Sequence, residues 1–167
     1  MAKAKIPLTA GIRTLREADV TFTARPYRHH EKDVAAGAAR ELGVSEHLVV
    51  KTLVMEDDQH RPLVVLMHGD KQVSTKALAR VIGVRSVTQC SPELAQKHTG
   101  YLIGGISPFG VRKPLPIYVE SSVLSLPKVL INAGKRGLLV EISAEDLRRV
   151  LKPIPVSVAR QELEKNR

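Results

Sequence analysis

Thr99-Gly100-Tyr101-Leu102-Ile103-Gly104-Gly105-Ile106-Ser107-Pro108-Phe109-Gly110 places four of the chain's 11 glycines in twelve residues, directly after a segment that reads as a helix. A solvent-facing linker would carry Ser, Asp and Lys here. This stretch instead interleaves Gly with Tyr, Leu, Ile and Phe, so it packs against the body while the glycines free its backbone. Two readings fit. The Gly-Gly step before Ser-Pro forms a shaped rim that offers backbone N–H groups to a ligand, or it is a tight buried connection with no ligand.

At 167 residues the chain fits one domain, spanning 1–167 with short flexible termini. A chain of this size buries about 70% of the surface it exposes when unfolded. Aromatic residues make up 3% and Trp is absent, so the core must be mostly Val, Leu, Ile and Ala. Lys and Arg number 26 against 17 acids, a net charge of +9 that fits a polyanionic partner such as nucleic acid and equally a solvated basic surface, which charge alone does not exclude. So few aromatics argue against a base-stacking platform. A single cysteine, Cys90, excludes an internal disulfide and a multi-cysteine zinc site. The start lacks the apolar core of a signal peptide, and no apolar run reaches membrane-spanning length. The expectation is a cytoplasmic protein with no membrane partner.

Around the glycine stretch, strands and helices alternate without a regular βαβ rhythm. Thr9 and Ser74 read as helix N-caps, Asp33 as a third, and Ser91-Pro92-Glu93 as a strong helix start. Ser143 caps a last helix over 144–151. Strands are expected over 20–28, 49–55, 62–68, 84–88, 115–120, 128–132 and 138–142, and the tail from Gln161 is charged and frayed. The predicted class is mixed α/β: one curved mixed sheet wrapped by helices.

Lys51 is the most informative single residue. It interrupts the apolar run Val49-Val50-Lys51-Thr52-Leu53-Val54-Met55, and an unpaired buried ammonium costs several kcal/mol. It must point into a cleft, pair with an acid, or sit on an edge strand where it discourages aggregation. Thr52 extends the polar break, which favours the cleft. Asn132-Ala133-Gly134-Lys135-Arg136-Gly137 resembles a phosphate-binding turn with small residues before two cations, although a basic hairpin turn reads the same way. It is not a Walker loop, since Val129 and Arg136 stand where that pattern needs Gly and Ser or Thr. A conventional nucleophile is hard to find. Ser107 lies outside any Gly-x-Ser-x-Gly elbow. Cys90 precedes a helix start that could lower its pKa, yet no motif supplies a base, so it reads as structural. His29 and His30, adjacent after the strand, make a poor metal pair and read as surface residues, and His47, His60, His68 and His98 share no ligand spacing. No metal and no cofactor are expected.

Tyr27 closing its strand, Val50-Lys51-Thr52-Leu53, the glycine stretch and Gly134-Lys135-Arg136-Gly137-Leu138 resemble, in order and spacing, the YbaK/EbsC-type proteins. These are free-standing cysteinyl-tRNA(Pro) deacylases related to the editing insertion of bacterial prolyl-tRNA synthetase. The resemblance runs from about Thr9 to about Leu151. It implies the editing-domain fold and a trans-editing deacylase that clears mischarged Cys-tRNA(Pro), with Cys-tRNA(Cys) as a further substrate. Prolyl-tRNA synthetase becomes a candidate partner. Lys51 falls on the lysine regarded as essential in the family, and Gly104 and Pro108 on its Gly-x-x-x-Pro loop. Substrate binding would then fall to Tyr27, Thr52, Gly104, Gly105, Ile106, Ser107, Pro108, Asn132, Ala133 and Gly134, and tRNA phosphate to Lys135 and Arg136. The substrate's own thiol would attack its ester, so no protein nucleophile is needed.

Two departures stand out. Asn132-Ala133-Gly134 replaces Ser-Gly-Gly or Ser-Ala-Gly, and Leu139 stands where the better-studied type has an acid, with Glu141 two residues further on the same strand face. These changes bear on amino-acid specificity. Editing of alanyl-tRNA(Pro) through water, and a non-catalytic nucleic-acid-binding module, are the rival readings.

Overall fold

Residues 6–161 are described by a computed structural model, in which the helix ends follow their sequence signals. The elements are α1 (Ala10–Glu17), β1 (Thr23–Pro26), α2 (Val34–Leu42), β2 (Val49–Asp57), β3 (Pro62–His68) and β4 (Lys71–Val73). There follow α3 (Thr75–Ile82), β5 (Val87–Gln89), α4 (Pro92–Thr99), β6 (Ile117–Glu120) and β7 (Lys128–Lys135). The chain closes with β8 (Leu138–Ser143), α5 (Ala144–Leu151), β9 (Ile154–Val156) and β10 (Ala159–Gln161). Thr9, Ser74, Ser91 and Ser143 each accept a backbone N–H of the first turn, as expected of N-caps, at about 1 kcal/mol apiece.

Asp33 departs from that pattern. Its backbone is left-handed (φ 49°, ψ 51°) and its side chain makes no capping bond. A capping side chain reaches the N2 or N3 amide from extended backbone, which Asp33 does not adopt.

Eight strands form one mixed sheet in the order β1-β8-β7-β2-β3-β6-β9, with β5 also paired to β2; β10 and β4 make a separate pair. β2–β7, β3–β6 and β6–β9 are parallel. The class is therefore the mixed α/β arrangement expected. α1 and α5 cover one face, where Ile12, Leu15 and Leu147 pack on Val50, Val64 and Ile131. α2 covers part of the other face through Ala38 and Ala39 against Val49, Leu130 and Leu139, and α3 covers the rest through Leu78 on Val65 and Met67. The short strands β4, β9 and β10 carry too little periodicity to be read from sequence. The charged tail lies almost wholly beyond the described residues. Among those residues no helix is long and apolar enough to cross a membrane.

Candidate active site in a split of the sheet

The alternating register of β2 determines what faces what. Gly69 N–H donates to the Val49 carbonyl and Asp57 N–H to the Arg61 carbonyl. Odd-numbered β2 residues therefore bond β3, and even-numbered ones present their backbone on the opposite side. On that side β7 pairs only with Val49 and Val50, and β5 begins only at Met55. Between them the one described bond runs from Cys90 N–H to the Val54 carbonyl, 3.0 Å. The sheet is split along 51–54, and a cavity of about 430 Å³ occupies the split.

Both halves of the Lys51-Thr52 pair reach this cavity. Lys51 is on an interior strand, with β3 on one side and β7 and β5 flanking the split on the other, so the edge-strand reading does not hold. Its Nζ donates to the Lys71 carbonyl, which fixes one end of the ammonium while the side chain remains part of the wall. Thr52 Oγ1 and Tyr27 Oη are buried without hydrogen-bond partners, and both residues line the cavity. Burial raises the Tyr27 pKa, so the phenol stays protonated near neutrality. Buried hydroxyls without a protein partner are uncommon in native proteins, and both are available to a ligand in the cavity.

The glycine stretch supplies the facing wall and satisfies both readings at once. Leu102 and Ile103 are exposed, whereas Tyr101 and Phe109 are buried, Phe109 completely. Gly104 lines the cavity at φ +89°, and a Cβ there would come within 2.6 Å of His29 Cε1. Only glycine fits. Ile106 also lines the cavity, but Gly105 N–H is spent on the Leu102 carbonyl, and Ser107 is fully buried with its Oγ accepting from Phe109 N–H. Pro108 is buried behind the loop as well.

Asn132 joins this loop to β7. Its Oδ1 accepts from Gly134 N–H (2.7 Å) and Lys135 N–H (3.1 Å), and its Nδ2 donates to the Gly104 carbonyl (3.2 Å). The expected basic turn is shorter than its sequence suggests: β7 runs to Lys135 through an irregularity between Asn132 and Lys135, and Arg136-Gly137 makes the hairpin turn to β8. Arg136 Nε donates to the Ile103 carbonyl at 2.7 Å, so it clamps the loop from outside.

Of the residues expected at the site, Tyr27, Lys51, Thr52, Gly104, Ile106 and Asn132 converge on the cavity. Gly105, Ser107, Pro108, Ala133 and Gly134 support its walls from behind, and Lys135 and Arg136 lie outside it. Glu141 does not take over from the missing acid, since it pairs with Arg25 (2.8 Å) and Lys128 (3.4 Å). Leu139 itself lines the cavity, 4% exposed.

The sequence reading missed four features. His29 is only partly exposed rather than a plain surface residue, and its ring packs at Gly104 with Nδ1 buried and without a hydrogen-bond partner. The small side chains of Ala35 and Ala38 give the cavity its α2 wall. Cys90 also lines it, and burial pushes its thiol up to about 11, opposite to the lowering a helix start suggested. His47, His68 and Asp70 come together despite their unpromising spacing. His68 is nevertheless held at both nitrogens, by the His47 carbonyl and Ser122 Oγ, and its ring stacks on His47 at 3.7 Å. Burial lowers the His68 pKa, so this cluster reads as a packed polar support beneath β2 and β3.

The family model described as aminoacyl-tRNA editing domain matches residues 29–150. The chain is 29% identical over 147 residues to the "Putative Cys-tRNA(Pro)/Cys-tRNA(Cys) deacylase EbsC" of Enterococcus faecalis, covering 87% of this chain and 90% of that one. It is 26% identical over 125 residues to a proline–tRNA ligase of Limosilactobacillus fermentum, covering 72% of this chain and 21% of the ligase. A solved protein described as "a putative trans-editing enzyme for prolyl tRNA synthetase" has the same fold, with a TM-score of 0.78 at 22% identity over 94% of this chain and 100% of that one.

Proposed function

Because this chain belongs to the aminoacyl-tRNA editing domain family, we propose that it is a cytoplasmic trans-editing deacylase that cleaves the ester of mischarged Cys-tRNA(Pro), and of Cys-tRNA(Cys). The observation that carries the proposal is Lys51, which stands on an interior strand and enters a cavity walled by Gly104, Ile106 and Asn132. A synthetase that must accept proline discriminates poorly against a similar-sized side chain, so a second pocket removes the error.

In this reading the cysteine thiol, as it loses its proton, attacks its own ester carbonyl. A C–S bond forms, the C–O bond to the terminal ribose breaks, and the ribose hydroxyl leaves with the proton. The chain contributes orientation and charge: Lys51 acts electrostatically near the ester or the ribose, and Lys135 and Arg136 meet tRNA phosphate. Tyr27, Thr52, Gly104, Ile106 and Asn132 hold the aminoacyl end, with prolyl-tRNA synthetase a candidate partner in delivering the tRNA.

Leu139 favours one alternative, because an apolar wall in place of an acid suits an alanyl ester cleaved by water. The test is hydrolysis of Cys-, Ala- and Ser-tRNA(Pro) by the purified protein beside Lys51→Ala. Losing one oxyanion-type donor costs about 2.7–4 kcal/mol, roughly 10²–10³ in turnover, and that loss is expected. Cleavage of the cysteinyl ester alone supports thiol assistance, and cleavage of alanyl or seryl esters moves the chemistry to water. Survival of all three esters leaves a nucleic-acid-binding module as the better account, and a mild effect of Lys51→Ala removes the lysine from the mechanism.

A further inference from the structure

The main chain of Thr52 lacks a strand partner on the side of the split. Val50 precedes it and still pairs with β7; Val54 follows it and takes the Cys90 N–H; Glu56 pairs with Thr88 of β5. By the same alternation, the N–H and C=O of Thr52 both point into the cavity. Its hydroxyl and that of Tyr27 are the orphan buried oxygens of the same cavity. One residue's width of ladder is missing, with the neighbouring rungs in place.

An aminoacyl ester has the skeleton of one strand residue: a nitrogen donor, Cα and a carbonyl acceptor. We propose that the substrate's aminoacyl group docks opposite Thr52 as that missing residue. Its α-ammonium donates to the Thr52 carbonyl, and its ester carbonyl accepts the Thr52 N–H. This is strand addition reduced to a single residue, in which main-chain bonds give affinity and side-chain pockets give specificity. It rests on the editing reading and deepens it. Residues opposite one another in an antiparallel pair share a face, so the substrate's side chain falls beside Thr52 Oγ1. Main-chain pairing reads what every aminoacyl ester has in common, and selection among side chains is left to the walls around that hydroxyl.

Removing the α-ammonium isolates the contact. Cys-tRNA(Pro) is compared with 3-mercaptopropionyl-tRNA(Pro), and Ala-tRNA(Pro) with propionyl-tRNA(Pro), each rate divided by the uncatalysed rate of the same ester. Loss of a charged hydrogen bond is expected to lower kcat/KM at least about tenfold. Thr52→Val keeps the main chain and should keep this ratio even where its absolute rate falls. Binding is read separately on 15N-labelled protein with a stable analogue, 3′-amino-3′-deoxyadenosine carrying cysteine through an amide. The Thr52 amide proton should move downfield and exchange more slowly, and less so with the deaminated analogue. Equal corrected rates for an ester and its deaminated form in an active enzyme overturn the pairing, as does an unperturbed Thr52 amide. If no ester is cleaved yet the Thr52 amide responds, the editing reading fails and the pairing stands.

Discussion

Asn132→Ala tests whether one side chain ties the glycine loop to the split sheet. Oδ1 satisfies two backbone N–H groups, of Gly134 at 2.7 Å and Lys135 at 3.1 Å, and Nδ2 holds the Gly104 carbonyl at 3.2 Å. With the residue only 9% exposed, water replaces these partners poorly. Two amide bonds at about 1 kcal/mol each and a longer third at the low end of the range come to about 2–3 kcal/mol. For a domain of this length, 1 kcal/mol moves Tm by roughly 2–4 °C, so calorimetry should record a drop of roughly 5–10 °C. Asn132→Asp keeps the two acceptor bonds and turns a carboxylate toward the Gly104 carbonyl. It should lose less Tm than Ala yet free the loop as much. Both variants should lower kcat/KM by more than tenfold, because small misplacements of a positioning wall are costly. A Tm within about 2 °C of wild type for Asn132→Ala would refute the reasoning, since the bonds would then carry no net free energy.

Two further outcomes follow from the same geometry. With its thiol pushed up to about 11, Cys90 holds only about a thousandth of its population as thiolate at pH 8. Iodoacetamide should therefore label it far more slowly in the native protein than in denaturant, and labelling at the rate of a free thiol would show the pocket wall to be open. Lys135→Gln should weaken tRNA binding without regard to the amino acid attached and flatten the salt dependence by roughly one unit of slope; an unchanged slope in a binding titration would take Lys135 off the phosphate path.

The sheet class, the caps at Thr9, Ser74, Ser91 and Ser143 and the conspicuous lysine were legible because each depends on local chemistry, whereas the expected Asp33 cap was not borne out. Ser91-Pro92, for instance, can hardly be anything but a helix start, and Lys51 cannot be ignored in an apolar run. What escaped depended on distant pairings. His29 looks like a surface histidine until Gly104, far along the chain, removes the Cβ that would exclude its ring. The His47–His68–Asp70 group is assembled across the β2–β3 hairpin, so spacing alone hides it. Pro108 and Ser107 were over-read: a motif marks a loop, but only packing tells which of its residues face the ligand.

The split itself looks irregular, yet the sequence terminates both ladders that border it. β5 cannot follow β2 past Val54, because Ser91 caps α4 and Pro92, which has no N–H to give, opens the helix immediately after Cys90. β7 cannot follow β2 past Val50, because Asn132 draws the next two amides onto its own side chain and Gly134 turns the strand at φ +109°. Those amides would otherwise be free to continue a ladder; the Asn132 carboxamide takes them instead. Lys51 and Thr52 then point to opposite faces from adjacent positions, and both line the cavity. A substitution at Pro92 or Gly134, neither of which lines the cavity, that let a ladder grow by two residues would close it. The depth of the site is set by where its neighbours stop pairing.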